Sequence, residues 1–318
     1  MKNTPRHQHL ASAPAALIAV LLAITLTAAA PAAVFKQKAD ANSNGLSWET
    51  ATLWNPEGAA SAGNDYFTNG YNLRTSTPGG GTGSATFPGA SLTVEGGDGG
   101  ARGTLTLKTK TTTIGNLSIG IGTVTNNVNT GTNQPATLNV TNLTILSTAT
   151  SSNQAILQGT NSNQDLTVNV TNLLGDGYLQ FTNPRAYSLS VKNAAAFTGT
   201  LNLNQGTLTL TSAFTAPAAS FSMRSEGQSV PLLVLANNLA VASFTYGSTT
   251  LNVAGSTYTS AQLNTLLGVT AFSGDGIISI SSIPEPSTLA FFLGGSLLAV
   301  CCAARRSLRT ARAVSIEM

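Results

Sequence analysis

Leu138-Asn139-Val140-Thr141-Asn142-Leu143 returns thirty residues later as Val168-Asn169-Val170-Thr171-Asn172-Leu173. In both copies apolar and polar side chains alternate until a Thr-Asn pair interrupts them. Period two is strand geometry, with one apolar and one polar face. One such strand cannot bury its apolar face, but stacked copies can, which is the logic of a solenoid. The Thr-Asn pair reads as a corner, because Asn tolerates the left-handed region and hydrogen-bonds its own backbone. Identical Asn and Thr stacked between rungs can also form side-chain ladders.

The same alternation extends in both directions. It appears at Leu92-Thr-Val94, Leu105-Thr-Leu107, Leu117-Ser-Ile119, Leu189-Ser-Val191, Leu201-Asn-Leu203, Leu208-Thr-Leu210, Leu251-Asn-Val253 and Ile278-Ser-Ile280. Gly and Asn clusters separate these runs, and helical periodicity is scarce. The chain is therefore expected to be all-β: a right-handed parallel β-helix over 91–282, with roughly six or seven irregular rungs between Ser91 and Thr250. Many short strands with frequent turn signals also suit an antiparallel β-sandwich, which stays open as the alternative. Parallel stacking of 138–143 on 168–173 at about 4.8 Å separates the two.

Both ends of the solenoid differ from its middle. Residues 34–90 hold both tryptophans, Trp48 and Trp54, and are expected to form an N-terminal cap. The tryptophans can pack over the open end of the first rung or form a sugar-stacking platform; the packing role is the expected one. Near the other end, Thr259 or Ser260 can cap a two-turn helix that Gly268 stops. This helix, near 259–267, places Leu263, Leu266 and Leu267 on one face.

The chain termini account for most of the unusual composition. Residues 1–33 read as a secretory signal helix: Lys2 and Arg6, the apolar run Ala15 to Thr27, then Ala30-Pro31-Ala32 for cleavage. Between 33 and 283 lie nine of the 15 Lys and Arg and ten of the 12 Asp and Glu, a net charge near −1. The basic balance of the whole chain is thus no nucleic-acid signal. Both histidines (His7, His9) and both cysteines (Cys301, Cys302) also fall outside this body. Histidine acid–base chemistry, cysteine nucleophiles, disulfides and His/Cys metal sites are excluded there.

The C-terminal stretch has three parts. Pro284-Glu285-Pro286 cannot continue a sheet or enter a helix interior. Ser287 to Ala304 carries no charge, and its 18 residues would span about 27 Å as a helix, near the ~30 Å of a bilayer core. Arg305 and Arg306 follow, with Arg309 and Arg312, and the positive-inside rule keeps them in the cytoplasm. The motif, the transmembrane helix and the arginine pair over 283–318 closely resemble the PEP-CTERM sorting signal of Gram-negative bacteria. The resemblance covers about 30 residues. It implies a membrane-bound, exosortase-like partner that processes the chain near Pro284, Glu285 and Pro286, and a link to the cell surface and extracellular polysaccharide. The segment 34–90, with Phe87 to Val94 after it, more weakly resembles the start of autotransporter-like β-helical surface proteins.

Candidate chemistry is sparse. Glu95 and Asp98 stand close in a glycine-rich stretch, the best available carboxylate pair, although such a sequence also reads as an exposed turn. Asp176 and Asp275 are flanked by glycines and read as turns, and Lys108 and Lys110 as a solvated strand edge. Four Asn-x-Ser/Thr sequons begin at Asn116, Asn139, Asn142 and Asn169, and the last three begin in copies of the repeated unit. No catalytic residues, metal ligands or cofactor are expected. The reading is an exported, surface-anchored structural or adhesive protein, associated with extracellular polysaccharide or biofilm matrix. A polysaccharide lyase or hydrolase on the same scaffold is the alternative, requiring clustered carboxylates with a nearby Arg or Lys. A scaffold with no ligand is the third.

Overall fold

The computed structural model describes residues 31–281, apart from 42–45, 78–80, 98–101, 129–134, 160–163, 184 and 227–229. The signal segment up to residue 30, the Pro284-Glu285-Pro286 motif, the apolar run after it, and Arg305 and Arg306 lie outside the described residues. Among the described residues no helix is long and apolar enough to cross a membrane.

Two large sheets make up the fold. Through the middle of the chain, consecutive strands alternate between them. Sheet 1 takes Ser91–Val94, Thr111–Ile119, Ala136–Ile145, Leu166–Gly175, Ala186–Asn193, Thr207–Leu210 and Leu232–Val234 in that order. Sheet 2 takes the strands between them: Gly103–Leu107, Gly122–Asn126, Ala155–Gly159, Tyr178–Thr182, Thr200–Leu203, Phe214–Met223 and Leu239–Tyr246. Each strand pairs in parallel with the strand two elements away. This is a solenoid-like all-β arrangement of two largely parallel sheets. The repeated hexapeptides pair in parallel and in register, Leu138 opposite Val168 and Asn142 opposite Asn172, so the antiparallel alternative fails at the repeat that separates the two readings. Parallel pairing starts upstream of Ser91. Val34–Gln37 lies parallel to Asp65–Phe67, and Asn72–Arg74 parallel to Gly103–Leu107.

Alternation plus register stacks like on like. One buried column on sheet 2 runs Leu73, Leu105, Val124, Leu157, Phe181 and Leu203. Beside it, Phe221 stacks on Phe244 with centroids 5.8 Å apart. Burying each such side chain contributes roughly 1.5–3 kcal/mol, so the columns dominate the stability of the stack.

The corner forms differently from the sequence expectation. Val140 and Leu143 point inward, while Thr141 and Asn142 both point outward, inside one continuous strand. The same step recurs at Thr171-Asn172 and Lys192-Asn193. Among the described non-glycine residues only Asn69 and Asn183 have positive φ. The corner asparagines therefore do not use the left-handed region. Their amides bond neighbouring rungs in place of their own backbone. Asn142 Nδ2 donates to Asn116 Oδ1 (2.7 Å), Asn172 Nδ2 to Asn142 Oδ1 (2.8 Å) and Asn193 Nδ2 to Asn172 Oδ1 (3.4 Å). Asn116 Nδ2 ends the series on the Ala90 carbonyl at 2.8 Å. Apart from Asn69 and Asn183, the described residues with positive φ are glycines. Gly175 has φ 95°, and a Cβ there would sit 2.1 Å from the Ile145 carbonyl oxygen.

Short antiparallel strands, loop backbone and a helix finish the ends of the two sheets, and short edge strands limit edge-to-edge association. At the N-terminal end, Trp54–Asn55 pairs antiparallel with Val34–Gln37. The edge strand Asn72–Arg74 receives Ala41 N–H on the Asn72 carbonyl (2.8 Å) and Trp48 N–H on the Arg74 carbonyl (3.0 Å). At the other end, Thr257–Thr259 pairs antiparallel with Ile277–Ile280. The helix Ser260–Leu267 lies against Phe272–Ser273, and its Asn264 amide bonds both the N–H (3.1 Å) and the carbonyl (2.8 Å) of Phe272. Thr259 and Gln262 form a reciprocal capping box, worth about 1 kcal/mol, and Gly268 ends the helix at φ 66°. Leu263 is buried and Leu267 half-buried, but Leu266 is exposed.

Candidate functional site

The sequence candidates fare unequally. Pro284, Glu285, Pro286, Arg305 and Arg306 lie outside the described residues, as does Asp98. Glu95 is half-buried just past a sheet 1 strand. Its carbonyl accepts from Thr68 Oγ1 (3.0 Å) and Gly70 N–H (2.9 Å). Burial raises its carboxyl above the usual range, and the positive charge of Lys36 opposes that shift. Asp176 and Asp275 are exposed in turns, beside Gly175 and Gly274 with positive φ. Lys108 follows a strand paired on both sides, so it does not mark an edge. Burial and Arg74 together lower the pKa of its ammonium. Among the described residues no three Asp or Glu gather into a cluster fit for a metal ion.

Trp48 and Trp54 are fully buried. Trp54 Nε1 donates to the Trp48 carbonyl at 3.0 Å, and the indoles meet Phe87 and Tyr66 edge-on at 5.3 and 4.8 Å. Rings packed this way present no face to a sugar. The sequons are also explained by the architecture. Asn116, Asn142 and Asn169 direct their amides to other rungs, Asn169 Nδ2 donating to Asn139 Oδ1 at 2.9 Å. A glycan on any of these amides would have to break that bond.

Two depressions lie on outward faces of the sheets. The one over sheet 1, about 370 Å³, is lined by Thr113, Asn139, Thr141, Asn169, Thr171 and Lys192 among others. Its floor amides already bond each other.

The depression over sheet 2 is larger, about 560 Å³. Alternation sends Leu179, Leu201, Phe221 and Phe244 into the core and turns their neighbours outward. Gln180, Asn202, Ser222 and Thr245 thereby form one column in register across four strands. Tyr178 flanks the column. Burial raises the pKa of its phenol, and the Ser222 hydroxyl beside it acts the other way. Asn202 Nδ2 donates to Ser222 Oγ at 2.8 Å, Asn204 Nδ2 to Thr182 Oγ1 at 3.2 Å. Gln180 has no side-chain partner among the described residues. Arg224 and Glu226 stand at the side of the hollow, so its formal charge is balanced. The lining can hydrogen-bond and can stack one ring. Sequence reasoning missed this site because its column has no shared motif: Gln, Asn, Ser and Thr recur at unequal spacing.

No protein-family model, no curated protein and no solved structure matches the chain.

Proposed function

We propose that the chain is an exported surface protein of a Gram-negative bacterium, a capped parallel β-helix that presents polar faces to extracellular polysaccharide. The observation that carries the adhesive reading is the pair of outward depressions, both lined by amides and hydroxyls on parallel strands. A parallel stack holds such groups in fixed rows, so little side-chain entropy is lost when a polymer is bound. The mechanism is passive hydrogen bonding in place of bond cleavage.

The address of the protein rests on its tail. Pro284, Glu285 and Pro286, the apolar run and Arg305-Arg306 support sorting by a PEP-CTERM signal, with a membrane-bound exosortase-like enzyme as partner and the cell surface or matrix as destination. Two measurements test the reading. Mass spectrometry of the protein from its own cells is expected to show a C-terminus near Pro284; a chain intact to Met318 overturns the sorting. Co-sedimentation of the purified full chain with polysaccharide from the same cells is expected to deplete the soluble protein. No depletion at any polysaccharide concentration overturns the adhesive reading.

A further inference from the structure

The depression over sheet 2 differs from the other hollows in what its polar groups are doing. Over sheet 1 the corner and floor amides close on one another. On sheet 2 the Gln180 amide meets no described side chain, and Asn202 uses one of its donors, on Ser222. Asn202 is only 9 % exposed and lines the hollow. An amide with unused hydrogen-bonding capacity lining a hollow can be completed by a ligand. Above it stand Tyr178, with an apolar ring and a polar tip, and the hydroxyls of Ser222 and Thr245. The hollow crosses four strands, so three rung steps give a track of about 14 Å.

From this geometry we infer that the sheet 2 depression is a binding site for an uncharged oligosaccharide, lying across the strands with one ring against Tyr178. A sugar presents the complement of this lining: hydroxyls that both donate and accept, and C–H faces that cover an aromatic ring. The opposed charges of Arg224 and Glu226 leave no excess of positive charge to hold a uronate polymer. The volume of about 560 Å³ is within the usual range for a small-molecule site. The inference rests on the adhesive reading above and locates it on one face.

The test uses the full chain in detergent, titrated by calorimetry with maltohexaose, cellohexaose and isomaltohexaose as neutral probes and a mannuronate hexamer as the acidic one. The variants are Gln180→Ala, Tyr178→Ala and Tyr178→Phe, with Lys192→Ala probing the sheet 1 depression and Asp275→Ala, in an exposed turn away from both, as the control. Circular dichroism of each variant checks folding. Expected is binding of at least one neutral probe, weakened at least tenfold by Gln180→Ala and by Tyr178→Ala, less by Tyr178→Phe, and unchanged by Asp275→Ala. Neutral-probe binding lost in Lys192→Ala but kept in Gln180→Ala overturns the location and leaves the adhesive reading standing. Tighter binding of the mannuronate hexamer overturns the neutral class. No binding of any probe, alongside depletion by the native polysaccharide, overturns the site alone; no binding in either experiment overturns both.

Discussion

The corner of sheet 1 and the outer face of sheet 2 are built from the same residue types in the same parallel register, yet their polar groups end differently. At the corner, Asn stacks on Asn, and each amide donates down and accepts from above until Asn116 reaches the Ala90 carbonyl. On sheet 2, Gln, Asn, Ser and Thr stack on one another, and their unlike lengths leave groups facing a hollow. Identical side chains in register satisfy one another and act as structure. Unlike side chains in register leave hydrogen-bonding capacity for something else.

Both faces rest on the same kind of core, so the largest effect lies beneath them. Phe221→Ala removes a fully buried ring that stacks on Phe244 under the hollow. A loss of about 3–5 kcal/mol is expected in urea unfolding. A loss below about 1 kcal/mol would mean that the sheet 2 face does not depend on its inward column. A smaller change separates the two faces directly. Asn142→Ala interrupts the corner ladder and leaves Asn116 Oδ1 and Asn172 Nδ2 without their partners, at an expected cost of about 1–2 kcal/mol. Gln180→Ala, which breaks no bond to a described residue, is expected to change stability by less than about 0.5 kcal/mol. Equal costs for the two would erase the contrast.

The smallest effect concerns charge. Burial raises the Glu95 carboxyl above its ordinary range. Between the unfolded and folded values the folded chain binds more protons, so stability falls as pH rises through that window. Glu95→Gln is therefore expected to flatten the decline in the urea midpoint as pH rises from the ordinary carboxylate range toward neutrality. A decline just as steep in the variant would exclude Glu95 as its source.

Much of the architecture was legible in residues that repeat. Leu138 to Leu143 and Val168 to Leu173 have the same length, the same alternation and the same Thr-Asn pair, and only parallel stacking places each on its counterpart. The helix at Ser260–Leu267 was legible because Thr259, Gln262 and Gly268 are local signals, readable within ten residues. Leu266 shares a side with the buried Leu263 yet is exposed, since helical periodicity shows which residues share a side and not how much of that side a partner covers. For the corner asparagines the ladder between rungs was legible and the left-handed turn was not the outcome. Asn has two common uses, a left-handed turn or an amide bond, and the choice depends on what lies one rung away.

The sequence alone determined the strand period, the stacking register of the repeat, the small helix and the absence of His and Cys between 33 and 283. Each follows from side-chain chemistry at a position or between near neighbours in the chain. Tertiary structure alone decided that Leu266 is exposed, that the corner asparagines avoid the left-handed region, and that Gln180, Asn202, Ser222 and Thr245 share one hollow. The shared hollow depends on which unlike residues meet across rungs of unequal length, and rung length is set by loops that carry no repeat.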